Sequence, residues 1–480
     1  MNRPFSRRIC LCLALTALLL GLSASFGIDT NTEEKLADEK VVESTHSSNQ
    51  SLTGFQAGSI YTETVLVSSL EYTCVNMKIP SWVNARTKCW GANNYGYLGI
   101  GNWTDSADPY FVQYNSGNGM TKSLGSFGFH TVSVQTNGVT NSWGTNEYGE
   151  LGLGYTNTNT IRGNTGNMPP NRTALHVEAG ADTSCMIADD QSVWCWGRND
   201  PFGQTGTNTT TSLNPVLSPT KVLIPNNQSA IALSMGWNFA CVILEDRTGM
   251  CWGKNANGQL GNGNYDYGEF SHPTPAPITI IPPNRTLSAI SLGGGHACSI
   301  LDNGSVFCWG GGRNGQLGDG THSNTSTAGN YVPLPAGRTA ISISSGVRHT
   351  CTILDDHSTW CWGNNTEGQI GDGTSVPNTG EANWEHNHPS SPVAVSVPAG
   401  IEFAAISAGQ DHTCAVATNG SLWCWGGHDR GQLGLGQFWD STGWLSPVDS
   451  DIPAWVNLSG QSAASAFVPL SDRDLDNDGN

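Results

Sequence analysis

From about residue 54 onward, short stretches of alternating apolar and polar residues follow one another, separated by clusters of turn-forming residues. Alternation with a period of two is typical of β-strands that bury one face, and no stretch here has the 3.6-residue period of an amphipathic helix. Asn137-Gly138, Asn303-Gly304 and Asn419-Gly420 lie between two such stretches, where a short loop ending in glycine predicts a tight hairpin. The pattern predicts an all-β fold built from small antiparallel sheets.

One repeated unit accounts for this whole part of the chain. A Trp-Gly pair marks each copy at intervals of 53 to 63 residues, at Trp90, Trp143, Trp196, Trp252, Trp309, Trp362 and Trp425. The last copy reads Gly409-x-x-His412, then a hairpin, then Trp425-Gly426, then Gly431-Gln-Leu-Gly434. Seven copies of this length indicate a solenoid or a propeller, and a closed ring of sheets would protect their edge strands.

Twelve of the 14 cysteines fall in the repeats, and they fall there in pairs. Five pairs are ten residues apart and the sixth is fifteen apart: Cys185 with Cys195, Cys241 with Cys251, Cys298 with Cys308, Cys351 with Cys361, Cys414 with Cys424, and Cys74 with Cys89. The remaining copy has Val132 and Ser142 instead, so both cysteines are absent together. A three-residue hairpin loop places the two cysteines of a pair opposite each other, within disulfide range. We predict six disulfides; zinc is the alternative, but these spacings lack close Cys-x-x-Cys pairs.

The N-terminus has the layout of an export signal. Three arginines precede an apolar run over residues 9–22, and small residues follow it. We predict a signal peptide over residues 1–27, with an uncleaved membrane anchor as the alternative. Residues 28–53 are polar and predict a flexible stalk, residues 54–468 hold the repeats, and residues 469–480 form an acidic tail. Together with paired cysteines, this organisation predicts a secreted or cell-surface protein.

The charge balance narrows the classes of partner. Lys and Arg total 21 against 39 Asp and Glu, a net charge of -18. Phosphate recognition needs clustered basic residues, so we expect no nucleic-acid partner. We expect a monomer whose partner is an extracellular protein or a surface polymer, with membrane attachment only if the N-terminal segment is retained. Asn-x-Ser/Thr sequons such as Asn102, Asn171, Asn208, Asn284 and Asn457 make some glycosylation expected in a host that modifies exported proteins.

The repeats resemble those of the regulator of chromosome condensation family, whose signature is Gly-x-x-His, a hairpin, and Trp-Gly-x-Asn-x-x-Gly-Gln-Leu-Gly. Residues 252–261 and 362–371 match the second half of the signature closely. The resemblance covers roughly residues 54 to 460 and implies a seven-bladed β-propeller of four-stranded antiparallel blades; the paired cysteines are an addition to it. A fragment over residues 458–467 resembles a decayed eighth half-copy, as a closing strand or a cap. The family includes a nuclear exchange factor for a small GTPase, a role that an exported acidic chain does not carry over, and secreted inhibitors that use one propeller face.

Candidate chemistry in the repeats is sparse. One repeat position holds His130, His296, His349 and His412, but Tyr72, Thr183 and Phe239 stand there in the other copies, which favours packing over a metal ring. Residues 310–315 match a dinucleotide glycine pattern without opening a helix. Convergent carboxylates would be needed for a lyase or glycosidase, and we expect the candidates to belong to separated blades: Glu71, Asp182, Asp411 and Asp429. We therefore predict that the protein is not an enzyme and binds no cofactor.

The variable residues on one face of the predicted ring are the candidate binding site. The Gly-x-x-His turn and the Trp-Gly loop of each unit share that face because one strand runs from the turn to the hairpin and the next returns. An aromatic arc and a charged arc are expected there, formed by Tyr95, Phe129, Tyr148, Phe202 and Trp237, and by Arg313, Arg348, Glu367, His428, Asp429 and Arg430. Aromatic anchors beside polar residues are typical of a partner site. The prediction is an extracellular, non-enzymatic binding scaffold; a propeller enzyme, a structural adhesion module and, by family analogy only, a nucleotide-exchange role are the alternatives.

The acidic tail has one candidate metal site. Asp474, Asp476 and Asp478 alternate and are followed by Gly479, which resembles the first half of a calcium-binding loop. The chain stops at Asn480, so the closing carboxylate of such a loop is missing. We expect weak calcium binding at most, with a solvated acidic tail as the alternative.

Overall fold

A computed structural model describes residues 66–77, 86–113, 121–157, 163–164, 169, 171–208, 215–266, 272–376, 387–436 and 449–458. The predicted signal peptide, stalk, eighth half-copy beyond Leu458 and acidic tail with Asp474, Asp476 and Asp478 lie outside these residues, so those predictions stay open. In the part of the chain that is described, no helix has the length and hydropathy needed to cross a bilayer.

Seven four-stranded antiparallel sheets make up the described structure, which confirms the predicted all-β propeller. Each blade takes four consecutive strands. Blades 1 to 4 contain β1 Leu66–Ser68, β2 Tyr72–Met77, β3 Arg86–Gly91, β4 Ser106–Phe111; β5 Thr121–Ser126, β6 His130–Gln135, β7 Thr140–Gly144, β8 Gly163–Asn164; β9 Ala174–Ala179, β10 Thr183–Ala188, β11 Val193–Gly197, β12 Val216–Lys221; β13 Ala230–Met235, β14 Phe239–Leu244, β15 Gly249–Gly253 and β16 His272–Pro277. Blades 5 to 7 contain β17 Leu287–Leu292, β18 His296–Leu301, β19 Val306–Gly310, β20 Thr325–Tyr331; β21 Ala340–Ser345, β22 His349–Leu354, β23 Thr359–Gly363, β24 Val393–Ala394; β25 Phe403–Ala408, β26 His412–Ala417, β27 Leu422–Gly426 and β28 Ser450–Val456. A short 3-10 turn, Pro225–Asn227, links blades 3 and 4.

The first strand of each blade lies at the centre of the ring, against the first strands of its neighbours. The ring closes where blade 7 meets blade 1: the main-chain N–H of Ser68 in β1 donates to the Ser407 hydroxyl in β25 at 2.6 Å. Among the described residues each sheet holds strands of one repeat only, so the two ends of the propeller close by side-by-side packing of complete blades.

Six disulfides join the second and third strands of their blades, and they confirm all six predicted pairs. The bonds join Cys74 to Cys89, Cys185 to Cys195, Cys241 to Cys251, Cys298 to Cys308, Cys351 to Cys361, and Cys414 to Cys424. The two cysteines of each pair are directly opposed in register, and all twelve side chains are fully buried. The zinc alternative is therefore wrong for these cysteines, because each sulfur is bonded to another sulfur.

Blade 2 has the same register without the bond, because Val132 is directly opposite Ser142. The hairpin geometry inferred from the loop length is therefore the geometry observed in the blades with and without the cysteines. Each disulfide is internal to one blade and joins no two blades.

The Trp-Gly tryptophans join neighbouring blades. All seven indoles are buried, with at most 1% exposure. The Trp425 indole N–H donates to the main-chain carbonyl of Gln369 in the preceding blade at 3.0 Å, and Trp362 donates to Gln316 at 2.9 Å. At the ring closure, Trp90 donates to the Gln432 carbonyl of blade 7 at 2.9 Å. Trp196, Trp252 and Trp309 make the same bond. A buried carbonyl without a partner would destabilise the fold, so this bond fixes the position of six of the seven loops on the next blade.

A second bond between blades explains the histidine position of the repeat. His296 Nε2 lies 2.9 Å from the Thr350 hydroxyl of the next blade, and that hydroxyl donates to the Gln316 carbonyl at 3.0 Å. The hydroxyl proton is thus in use, so the imidazole is the donor to the threonine oxygen. Burial lowers the pKa of His296 to about 3, which keeps the ring neutral. The same pairing joins His130 to Ser184, His349 to Thr413 and His412 to Thr73.

The two members of this pair change together around the ring. Where the repeat position holds Thr183 or Phe239, the hydroxyl position of the following blade holds Ala240 or Ala297. Tyr72 keeps a hydroxyl partner in the next blade, because its phenol lies 2.9 Å from Thr131 Oγ1. The histidines are therefore hydrogen-bonding residues of the blade interfaces, and the sequence contains both the polar and the apolar version of the same contact.

We expect a seventh disulfide in the double variant that combines Val132→Cys with Ser142→Cys, because the two positions are opposed in the register that the other six blades use. Closing a loop of this length should raise the free energy of unfolding by about 2–3 kcal/mol. Denaturant unfolding of the oxidised double variant measures the gain. The reduced double variant is the control, and a bond that forms without any gain over it would contradict the prediction.

We expect His296 and Thr350 to be coupled in a double-mutant cycle. Thr350→Ala leaves the buried imidazole N–H without its acceptor and should cost about 1–3 kcal/mol. The double variant with His296→Phe and Thr350→Ala reproduces the contact of Phe239 with Ala297 at the adjacent interface, so it should cost less than the sum of the single variants. Unfolding free energies of the four proteins give the coupling; strict additivity would show that the two side chains do not act as a pair.

Candidate functional site

The two ends of the ring differ in what they carry. We call one end the loop face: it holds the Gly-x-x-His turns, which join first and second strands, and the Trp-Gly loops, which join third and fourth strands. We call the other end the hairpin face: it holds the hairpins between second and third strands and the links between blades. The predicted binding residues belong to the loop face.

The centre of the loop face is closed by main-chain hydrogen bonds that pass from blade to blade. The N–H of Val347 donates to the Gly409 carbonyl at 3.1 Å, and the N–H of Gln410 donates to the Ser69 carbonyl at 3.1 Å. This approach explains the glycine of Gly-x-x-His: a Cβ on Gly346 would lie 2.3 Å from the Gly409 oxygen. Apolar side chains pack beside the same ring of turns, namely Leu70, Phe127 and Val347.

Little room remains along the axis below this closure. A cavity of about 20 Å³, lined by the ends of all seven first strands, is enough for about one water molecule. The axis of the described structure is thus not a ligand channel. A partner of the loop face must bind to its surface.

The predicted aromatic arc divides into exposed and packed side chains. Tyr95 and Trp237 are the exposed members, at 47% and 37%. Tyr148 lies under the Arg198 guanidinium, 4.6 Å from its ring centre, and the Lys254 ammonium lies 5.0 Å from the Phe202 ring centre. Phe129 is half-buried and packs against Tyr97 at a centroid distance of 5.8 Å. The structure therefore presents two aromatic anchors and two aromatic rings capped by cations.

The predicted charged arc is exposed at Arg313, Arg348, Asp429 and Arg430. His428, also expected there, is fully buried instead. It stands where five of the other six repeats have the loop asparagine. Its Nδ1 accepts the N–H of Leu433 at 3.2 Å, as Asn365 Oδ1 accepts the N–H of Ile370 at 3.0 Å. His428 holds the shape of its loop and does not contribute to the surface.

Carboxylates dominate this arc where blades 6, 7 and 1 meet. Burial, and after it Asp449, raises the pKa of Glu367 to about 7. Burial is also the main cause that raises the pKa of Asp411 and of Glu71, with further contributions from Asp429. Two arginines act against this rise: Arg430 lowers the pKa of Glu71, and Arg348 lowers the pKa of Asp411. Arg430 also lies 3.5 Å from the carboxylate of Asp105. We call these carboxylates the acidic sector: Glu71, Asp105, Glu367, Asp411, Asp429 and Asp449.

The separation expected for the candidate catalytic carboxylates is therefore wrong for three of them. Glu71, Asp411 and Asp429 come from adjacent blades 1 and 7 and influence one another electrostatically, since the ring closes between those blades. Asp182 does lie apart, in blade 3, where its carboxylate pairs with Arg198 at 3.3 Å. Among the described residues, no group of three or more histidine, cysteine or acidic side chains has the arrangement of a metal site.

Two groupings could not be found from the repeat. Asp449 directly precedes the fourth strand of blade 7, as Asp105 precedes that of blade 1, and each carboxylate accepts a loop N–H at 2.7 Å. The repeat gives this position but not the contact of Asp449 with Glu367 of the preceding blade. In blade 3, His176 Nε2 lies 3.1 Å from Glu178 Oε1, and its Nδ1 lies 3.0 Å from the Ser123 hydroxyl of blade 2. In the sequence, the feature that indicated this group was the His-x-Glu spacing on a predicted strand. Both side chains are nearly buried, which makes this trio a contact between blades.

Comparison with known proteins gives the same fold. The family model described as WD40_RLD, RCC1-like domain, matches residues 86–464. The structure of yeast RCC1 (Prp20) bound to Kap60 superposes with a TM-score of 0.64 at 18% identity, covering 90% of this chain and 92% of that one. Human WBSCR16 also superposes with a TM-score of 0.64, at 17% identity, over 78% of this chain and 94% of that one.

Sequence relatives share only part of their length with this chain. The ultraviolet-B receptor UVR8 of Arabidopsis thaliana is 27% identical over 60% of this chain and 62% of its own length. The secretion-regulating guanine nucleotide exchange factor of Bos taurus is 25% identical over 63% of this chain and 62% of its own. The chain thus spans about three fifths of each of these two relatives.

We expect the acidic sector to make stability depend on pH near neutrality. The folded pKa of Glu367, about 7, lies above its ordinary value, so ionising the group costs folding free energy as pH rises from about 4.5 through 7. Glu367→Gln should remove this loss. The unfolding free energy of the variant minus that of the wild type should therefore increase between pH 5 and pH 8. Denaturant unfolding at several pH values measures it, with Glu402→Gln on the hairpin face as control. Parallel pH curves for wild type and Glu367→Gln would contradict the prediction.

Proposed function

We propose that this chain, which belongs to the RCC1-like domain family, is a non-enzymatic binding scaffold that recognises a protein or surface ligand through its loop face. The observation behind the proposal is the uneven loop face: exposed rings stand at Tyr95 of blade 1 and at Trp237 of blade 4, and the acidic sector spans blades 6, 7 and 1 beside Tyr95, over a closed axis. Exposed aromatic anchors beside charged residues are typical of partner sites, and a closed axis favours surface recognition.

Relatives support protein binding in general terms. The yeast structures concern a propeller bound to Kap60 and its binding to Gsp1p and histones. Those partners are properties of the yeast protein. The acidic sector, and a net charge of -18 for the whole chain, favour a partner that presents basic groups to the arc formed by blades 6, 7 and 1.

We propose that the protein works outside the cytosol, secreted or at the cell surface. Six internal disulfides support this location, since such bonds persist in oxidising compartments. The arginine-flanked apolar run at the N-terminus supports it independently. Within that setting the exchange of nucleotide on a nuclear GTPase has no place, so the exchange role stays a family analogy.

One observation favours an enzyme as the second candidate. A carboxyl with a pKa of about 7, Glu367, beside the carboxylate of Asp449, has the properties of a general acid in glycoside hydrolysis. Neutral-pH hydrolysis of aryl glycosides that disappears in Glu367→Gln would favour this candidate. No turnover by the wild type across a glycoside panel would leave the scaffold as the function.

We expect Trp237→Ala and Tyr148→Ala to weaken partner binding without unfolding the protein, because each removes an aromatic surface of the loop face and the main-chain bonds of Trp237 to Ala181 and Gly293 are kept. The measurement is quantitative mass spectrometry of material captured by the immobilised full chain from the surface fraction of its own organism. A single stoichiometric partner that is lost in the variants supports the scaffold, whereas bulk polymer capture favours an adhesion module.

Trp455→Ala is the matched control, since Trp455 is an exposed tryptophan, at 49%, on the outer strand β28. It should capture the partner as the wild type does. Circular dichroism and thermal unfolding check that all three variants are folded. Equal capture by the wild type and by both loop-face variants would remove this face from consideration.

A further inference from the structure

A groove of about 280 Å³ lies on the hairpin face, where the third and fourth strands of blade 6 meet the link to blade 7. The hairpin, β23, β24 and the link all contribute to its wall. The lining includes Trp360, Ala394, Val397, Ile401, His357 and Glu402. It is far larger than the axial cavity and is separate from the loop face. Its volume lies near the lower end of the range for small-ligand sites, which suits a ligand of one ring.

The groove exists because one cross-strand partner is small. Trp360 in β23 is directly opposite Ala394 in β24. In blade 5 the same register brings Phe307 against Tyr331, with ring centres 5.3 Å apart, and in blade 7 it brings Trp423 opposite Trp455. In blade 5 the large partner covers the aromatic ring of the third strand, and Phe307 is only 3% exposed. Alanine in blade 6 leaves that space open beside a half-buried indole.

The lining combines an aromatic surface with hydrogen-bonding groups. Val397 and Ile401 are half-buried and supply apolar surface, while His357 and Glu402 supply polar atoms. The lining also includes Thr359, whose side chain is buried.

The charges around the groove select the kind of ligand. Asp356 is already paired with Arg338, at 2.8 Å between Nε and Oδ2, whereas Glu402, the other carboxylate of the lining, forms no ion pair among the described residues. An anion would be repelled by Glu402, and one carboxylate at the rim is a weak site for a free cation. A neutral ring with an apolar face for the indole and hydroxyls for the polar groups satisfies all parts of the lining.

We propose that this groove is a saccharide-binding site that takes a single neutral pyranose unit. The C–H face of the sugar lies against the Trp360 indole, and its hydroxyls meet Glu402 and His357. The site is on the opposite end of the ring from the face proposed for partner binding, so it stands or falls independently of that function.

The test uses saturation-transfer NMR on the full chain with methyl glycosides of glucose, galactose and mannose, followed by titration of the sugar that gives the strongest signal. We expect saturable binding. Ala394→Tyr copies the blade 5 pair and fills the groove, and Trp360→Ala removes the aromatic surface, so each should weaken binding at least about tenfold. Glu402→Gln should weaken it by about threefold to tenfold, through loss of a charged acceptor.

Trp194→Ala is the matched control, because it removes a half-buried tryptophan at the same repeat position in blade 3, away from the groove. Its affinity should equal that of the wild type. Thermal unfolding of each variant verifies the fold, and Ala394→Tyr should be the best tolerated, since blade 5 contains a comparable aromatic pair. No saturable signal from any of the three sugars, or equal binding by the wild type, Ala394→Tyr and Trp360→Ala, would overturn the proposal. Binding of tetramethylammonium alone would also overturn it, in favour of a cation site.

Discussion

The bond from a buried indole to a main-chain carbonyl of the preceding blade, which six of the seven Trp-Gly tryptophans make, is the interaction on which the ring depends. Trp425 and Thr413 both donate to the Gln369 carbonyl, so one oxygen of a loop is held by two donors of the next blade. The carbonyl belongs to the glycine-rich loop that follows the previous Trp-Gly, which ties the shape of one blade's loop to the core of its neighbour. Because the disulfides stay inside single blades, these bonds and the apolar contacts around them are what assemble separate sheets into a propeller.

The bonds between blades also determine which surface positions are free to vary. Residues that serve the interface repeat around the ring, whereas residues between them are free to differ. The position before the loop glycine shows this: it holds Tyr95, Tyr148 and Phe202 in blades 1 to 3, and Glu367 and Arg430 in blades 6 and 7. One scaffold thus supports an aromatic part and an acidic part of the same face. The unevenness is what a binding scaffold requires, since identical blades would offer a partner seven equivalent sites.

Much of the fold could be predicted because the spacing within the repeat determines which residues of a hairpin lie opposite each other. The spacing of Cys414 and Cys424, with a three-residue loop, was enough to place them opposite each other. The candidate site was harder to predict from the sequence. The acidic sector depends on angles between blades, which bring Asp449 to Glu367 of the preceding blade, and a repeat pattern does not give those angles. His428 was predicted to be exposed and is buried. Its repeat position already indicated a structural role, because asparagine occupies that position in other copies and holds the loop there. A residue that replaces a structural one is better assigned by its position than by its chemistry.

Departures from the repeat therefore fall into two kinds. A compensated departure changes both sides of a contact: Phe239 and Ala297 replace histidine and threonine, and the interface stays packed. An uncompensated departure changes one side of a contact alone and leaves open space, as Ala394 leaves a groove beside Trp360. In blade 2, Val132 and Ser142 replace both cysteines, which is compensated and leaves both side chains buried. In a repeat protein without a catalytic motif, the uncompensated positions are where ligands can be accommodated, because the ring does not need them.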